Sequence, residues 1–216
     1  MKQVMIVAGG EPSLWPSLAA FSKQDVWIGV DRGSLFLVER GIALTLAVGD
    51  FDSLSADELA HVKHHAKEVI TAQPEKDFTD TELAVFEALR RYPNHSITII
   101  GASGGRWDHF LANLWLPLDW QNIELATKIT LRDEQNSLQY FLPGEHRISK
   151  EGDKKYLAFI CLTPVTGLSL YDAKYLLDKA DCPYPKSYAS NEFVGESTRF
   201  SFDSGIVAVI QSVDKQ

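Results

Sequence analysis

A chain of 216 residues, 45% hydrophobic and 23% charged, carries enough apolar content for a substantial core and is not a disordered, collagenous or disulfide-scaffold protein. Its 29 acidic against 21 basic residues give a formal net charge of -8, a field that repels nucleic acid. Cys161 and Cys182 are too few for a disulfide framework and fit a reducing cytoplasm, and no segment has the roughly 20 apolar residues of a membrane span.

Residues 1–10 hold an apolar run too short for a signal peptide and read as a buried first strand. Short β-favourable runs at 4–8, 26–30, 44–48, 68–71 and 96–100 alternate with helix-length segments at 57–65, 80–91 and 108–118. Thr79 is a candidate cap for the second helix, and Pro117 disrupts the third. This alternation predicts an α/β N-terminal domain with a mainly parallel sheet over 1–122. Beyond residue 120 the texture changes to β runs at 123–131, 137–142, 156–162, 167–170, 198–202 and 206–211, separated by Pro and Gly turns. An all-β sandwich domain over 123–216 is expected.

Four polar clusters fall at the carboxyl ends of successive predicted strands, where open α/β sheets bind ligands. Asp31-Arg32-Gly33 follows the second strand. Gly49-Asp50-Phe51-Asp52-Ser53 follows the third; on an extended backbone Asp50 and Asp52 point the same way and suit a shared hard cation, while turn-forming and helix-capping roles are the alternative. Lys76, Asp77, Thr79 and Asp80 open a helix with more charge than capping requires. Ser103-Gly104-Gly105-Arg106-Trp107-Asp108-His109 brings small residues and a forked cation to a helix N-terminus, an anion-binding arrangement without the order of a P-loop or a clean dinucleotide fingerprint. Together the clusters describe a magnesium-nucleotide cleft.

In their order, Gly-Asp-Phe-Asp-Ser at 49–53, Lys-Asp-Phe-Thr-Asp at 76–80 and Gly-Gly-Arg-Trp-Asp-His at 104–109 resemble the signatures of the thiamine pyrophosphokinase family, extended by Asp31-Arg32-Gly33 and Ser190-Asn191-Glu192-Phe193. The resemblance implies a nucleotide-binding catalytic domain followed by a thiamine-binding β sandwich, in a cytoplasmic homodimer with its sites where subunits meet. The implied reaction is transfer of the diphosphate of ATP to the hydroxyl of thiamine, giving thiamine diphosphate and AMP with Mg²⁺ as cofactor. Carried over by position, Asp50, Asp52, Asp77 and Asp80 are the metal-site acids, and Arg106 and Asp108 lie near the transferring group. Asp31, Arg32, Gly33, Lys76, Thr79, Ser103, Gly104 and Gly105 meet the nucleotide, and His109, Asn113, Ser190, Asn191 and Ser197 meet thiamine. The pattern departs from the family at Tyr171-Asp172-Ala173-Lys174-Tyr175, and no Trp follows Trp120. An aromatic wall for thiamine would then use Tyr188, Phe193, Phe200 or another ring, each of which equally suits a sandwich core. A pyrophosphokinase for another small alcohol and a non-catalytic nucleotide or thiamine sensor are the alternatives.

Overall fold

The computed structural model describes residues 3–22, 25–72, 78–119, 123–152 and 154–215. The chain divides into two compact units, 1–123 with 128–134 and 124–127 with 135–216.

In the first unit the chain runs through β1 (Gln3–Val7), β2 (Val26–Val30), α1 (Arg32–Glu39), β3 (Leu46–Gly49), α2 (Ala56–His65), β4 (Val69–Thr71), α3 (Asp80–Arg91), β5 (Ser96–Ile100), α4 (Trp107–Trp115) and β6 (Ile129–Arg132). All pairings are parallel, in the order β4-β3-β2-β1-β5-β6. The strands are almost uninterrupted apolar runs because helices cover the sheet, α1 lying on β1 and β2 and α3 on β1, β2 and β3. Val4, Met5, Ile6, Val7, Ile28, Val48 and Ile99 are fully buried, each contributing roughly 1.5–3 kcal/mol by leaving water.

Helix starts are set by side chains. Ser55 and Thr79 each form a reciprocal capping box, Ser55 with Glu58 on α2 and Thr79 with Glu82 on α3. At its other end α3 is tied to the residue before β4 by Arg91, which donates a fork to Glu68 at 2.6 Å per bond and a further bond to Glu87 at 2.8 Å. Those carboxylates push the Arg91 guanidinium pKa up from its already high value, hydrogen bonding to Glu68 being the larger cause.

Two predicted elements change shape. The helix expected over 108–118 ends at Trp115 and continues as a 3-10 turn, Leu116–Asp119. Pro117 has no N–H to continue the α ladder. The strand expected over 123–131 begins only at Ile129, because Ile123–Lys128 coils into a 3-10 helix. There Thr127 donates to the Glu124 carbonyl at 2.8 Å and Lys128 to the Pro93 carbonyl at 2.7 Å.

The second unit holds β7 (Asn136–Phe141), β8 (Gly144–Ser149), β9 (Tyr156–Cys161), β10 (Val165–Leu170), β11 (Leu177–Cys182), β12 (Lys186–Glu192), β13 (Ser197–Phe202) and β14 (Val207–Ser212). They pair antiparallel in two groups, β12-β9-β14-β7 and β11-β10-β13-β8. Leu157 and Phe159 from one group and Leu168, Phe200 and Phe202 from the other form a shared core, with Phe159 edge-on to Phe200 at 5.1 Å. The alternation of buried and accessible positions along β9 and β13 is that of a strand with one face inward. Strands β8, β11 and β12 were not expected. Only Ile148, Cys182 and Asn191 respectively are buried on them, so their polar runs carry no apolar alternation.

Candidate active site

Because β1, β2, β3 and β5 are parallel, their carboxyl ends share one edge of the sheet. Asp31 follows β2, Asp50 follows β3, and Asp80 opens α3. Their carboxylates converge, one oxygen from each lying within 4.8 Å of the others, all three side chains half-buried.

The backbone is bent to make this possible. Asp31 adopts φ 47° and ψ -123°, a region that costs a residue with a side chain about 1–3 kcal/mol. Its N–H donates to the Val48 carbonyl at 2.9 Å, and its Oδ1 accepts from the Phe51 N–H at 3.2 Å. Gly49 permits the approach: a Cβ there would stand 1.9 Å from Asp31 Oδ1. The buried Phe51 ring then anchors the loop.

Burial raises the Asp31 pKa to about 6; the charge of Asp80 adds to this, the Phe51 N–H opposes it, and Asp50 and Asp52 add further. Like charges this close repel one another, and a cation among them would offset that repulsion. An all-oxygen donor set on rigid strand ends suits a hard divalent cation such as Mg²⁺.

Asp52 does not join the trio; it is exposed. The extended backbone that would aim Asp50 and Asp52 alike is absent, because Phe51 has φ 58° and the Asp52 N–H turns back to Asp50 Oδ1 at 3.0 Å. Lys76 and Asp77 lie outside the described residues. Arg32 is spent on the loop, donating to the Ser53 carbonyl and standing 3.6 Å from Glu58. At Gly33 a Cβ would meet the Val7 carbonyl oxygen at 2.1 Å, so this glycine lets α1 pack on β1. The Thr79 hydroxyl caps α3, accepting from the Glu82 N–H at 3.2 Å.

Across the edge, the loop after β5 meets the loop after β1 through the Gly10 N–H and Gly101 carbonyl, 3.0 Å apart. Here the strand order reverses, since β1 leads on to β2 on one side and pairs with β5 on the other. Gly104 and Gly105 both have positive φ, 81° and 68°. Ser103 donates to Asp133 at 2.6 Å. Arg106 and Asp108 form an exposed fork of 2.5 and 3.1 Å, and the Arg106 hydrogen bond holds the Asp108 carboxyl below its usual range. His109 is exposed; Asn113, expected at substrate, is buried and donates to the Ala102 carbonyl at 3.1 Å, tying α4 to the loop. On α4, Trp107, Leu111 and Trp115 are 83%, 36% and 48% exposed at a spacing that puts them on one helix face.

In the second unit Ser190 has φ 60° and lies in a bulge, the two residues between Tyr188 and Asn191 facing the single residue between Phe159 and Leu157. Asn191, also expected at substrate, is buried, accepting from the Tyr175 and Glu192 N–H groups at 2.9 Å and donating to the Tyr175 carbonyl at 2.8 Å. Ser197 accepts from Arg147 at 3.2 Å. Phe200 is wholly buried in the sandwich core and offers no ligand-facing ring; Tyr188 and Phe193 pack against that core while partly exposed.

Two features went unrecognised in the sequence. Asp31 was grouped with nucleotide contacts, although its place at a strand end level with Asp50 was available as a signal for the acid group. Gly9-Gly10 at the reversal of strand order had no signal until β1 was known to pair with β5.

Residues 18–130 match the model for the catalytic domain of thiamin pyrophosphokinase, and residues 145–207 the model for its vitamin B1 binding domain. The chain is 38% identical to a thiamine pyrophosphokinase of Bacillus subtilis over 99% of this chain and all of the relative. A crystal structure of a thiamin pyrophosphokinase family protein from Enterococcus faecalis superposes with a TM-score of 0.94 at 53% identity, covering 99% of this chain and all of that one. That of the Bacillus subtilis thiamine pyrophosphokinase gives 0.87 at 36% identity over 99% and 100%. The chain belongs to the thiamin pyrophosphokinase family.

Proposed function

We propose that this protein is a thiamine pyrophosphokinase whose catalytic edge is built on the convergence of Asp31, Asp50 and Asp80. The first unit takes ATP and the second contributes the thiamine site. The trio would hold Mg²⁺, whose bound charge would offset the negative charge on the phosphate oxygens that repels an incoming hydroxyl. Gly104, Gly105 and the N-terminus of α4 turn backbone N–H groups toward the polyphosphate. Arg106, held by Asp108, offers its remaining donors to the same groups, where charge grows during transfer.

The thiamine hydroxyl oxygen bonds to the β-phosphorus as the bond from that phosphorus to the α,β-bridging oxygen breaks. The electron pair leaves with AMP and the hydroxyl proton passes to a carboxylate. Asp52, exposed beside the trio, is our choice for that acceptor. Asn113 and Asn191 serve the reaction by fixing backbone, given where their amides are spent. We further infer a homodimer, supported by the exposed apolar face of α4, and a reducing compartment, supported by two cysteines that are both free and buried.

Incubation with ATP, MgCl₂ and thiamine is expected to yield AMP and thiamine diphosphate in equal amounts. ADP with thiamine monophosphate would overturn the reading.

A further inference from the structure

At the opposite, amino-terminal edge of the same sheet lies a cleft of about 830 Å³, within the size range of small-molecule sites. Its walls come from the chain before β2, the end of α1, the starts of β2, β3 and β4, and the residue that closes α3. Trp27 forms a buried floor with Phe21 edge-on to it at 6.2 Å, and Tyr92 stands at the rim.

The charge in this cleft is opposite to that of the protein as a whole. Arg40 and Lys67 line it, and among the described residues neither lies in an ion pair with a carboxylate. Arg40 is held in place, its guanidinium 5.3 Å from the Trp15 ring centroid and 5.8 Å from that of Phe36, with one N–H on the Phe36 carbonyl at 3.0 Å. Its other donors remain for a ligand. The acid in the lining, Asp25, is buried and turned toward β1 and its own turn, accepting from the Gln3 N–H, the Gln3 amide and the Ser22 N–H at 3.2, 3.3 and 2.9 Å. On a chain of net charge -8, two cations without acidic partners among the described residues, beside an aromatic floor, favour a ligand that is both flat and negative.

We propose that this cleft is a second ligand site, for a planar aromatic anion of up to mononucleotide size, with the ring against Phe21 and Trp27 and the anionic group on Arg40 and Lys67. It is separate from the acid trio: β2 spans about 17 Å from one edge to the other, and α3 about 18 Å.

The test uses the whole protein and two dyes that share a ring system, 8-anilinonaphthalene-1-sulfonate and the uncharged N-phenyl-1-naphthylamine, titrated by fluorescence. The wild type is expected to bind the sulfonate about tenfold more tightly than the neutral dye, the order of a lost charge-assisted contact. Arg40→Gln with Lys67→Gln should abolish that preference and leave the neutral dye unchanged, while Trp107→Ser keeps it. Should the double variant fail to fold, Lys67→Gln alone, at an exposed position, carries the same comparison. Equal affinities in the wild type, a preference that survives loss of the cations, or one that vanishes in Trp107→Ser overturns the proposal. No readout involves turnover, so the outcome is independent of the kinase assignment.

Discussion

At the scale of single residues, the site is a set of like charges held together by backbone geometry. Asp50→Asn is expected to lower kcat on the order of 10²-fold with little change in thiamine affinity, read by steady-state kinetics of AMP release and by thiamine binding without ATP. Asp31 makes a prediction about pH. Its native pKa of about 6 exceeds the ordinary 3.8, so the native state holds this proton more tightly than the unfolded chain. Stability is therefore lost as pH rises between those two values and the loss is complete above them. In chelator, the melting temperature of Asp31→Asn should fall less than that of the wild type between pH 4 and pH 7. A parallel fall in both proteins would show that Asp31 titrates normally. The residue scale is also where sequence reading was most uneven. The sheet-edge position of Asp50 was legible because it follows a periodic apolar run, and that of Asp80 because it opens an amphipathic one. The direction of Asp52 relative to Asp50 was not legible, because nothing in Gly-Asp-Phe-Asp announces that Phe51 takes a left-handed backbone.

At the scale of elements, the capping box of α3 links stability to the site, since Thr79 sets the start of the helix whose first residue is Asp80. Thr79→Ala should cost about 1 kcal/mol of stability, measured by urea unfolding, and raise the Mg²⁺ concentration needed for half-maximal rate. Thr79→Ser should restore both. If the Mg²⁺ requirement stays fixed while stability falls, the cap and the acid group are uncoupled. The parallel strands were readable because burial on both faces writes itself as unbroken Val, Ile and Leu. The strands of the second unit were readable only where one face alternates, as in Tyr156–Cys161 and Ser197–Phe202. Leu177–Cys182 and Lys186–Glu192 are held by ladder pairing to neighbours that sequence does not name, and the Arg32-Gly33-Ser34 start of α1 hides a helix whose Gly33 packs on β1.

At the scale of the whole molecule, the exposed face of α4 bears on assembly. If the proposed homodimer forms through this face, the wild type should sediment as a dimer and Trp107→Ser with Trp115→Ser as a monomer, without lower helix content, both side chains being already accessible. A mass equal in the wild type and the variant would remove this face as a dimer interface. The torsion angles of Asp31 have a consequence of their own at this scale. Glycine occupies that region of backbone space without penalty, and Asp31→Gly would also remove a crowded acid. Laboratory selection for heat resistance alone is expected to favour changes at this position, whereas, with Asp31 in the proposed metal site, a screen that demands product formation would keep the aspartate and seek its thermal gains at sites remote from β2.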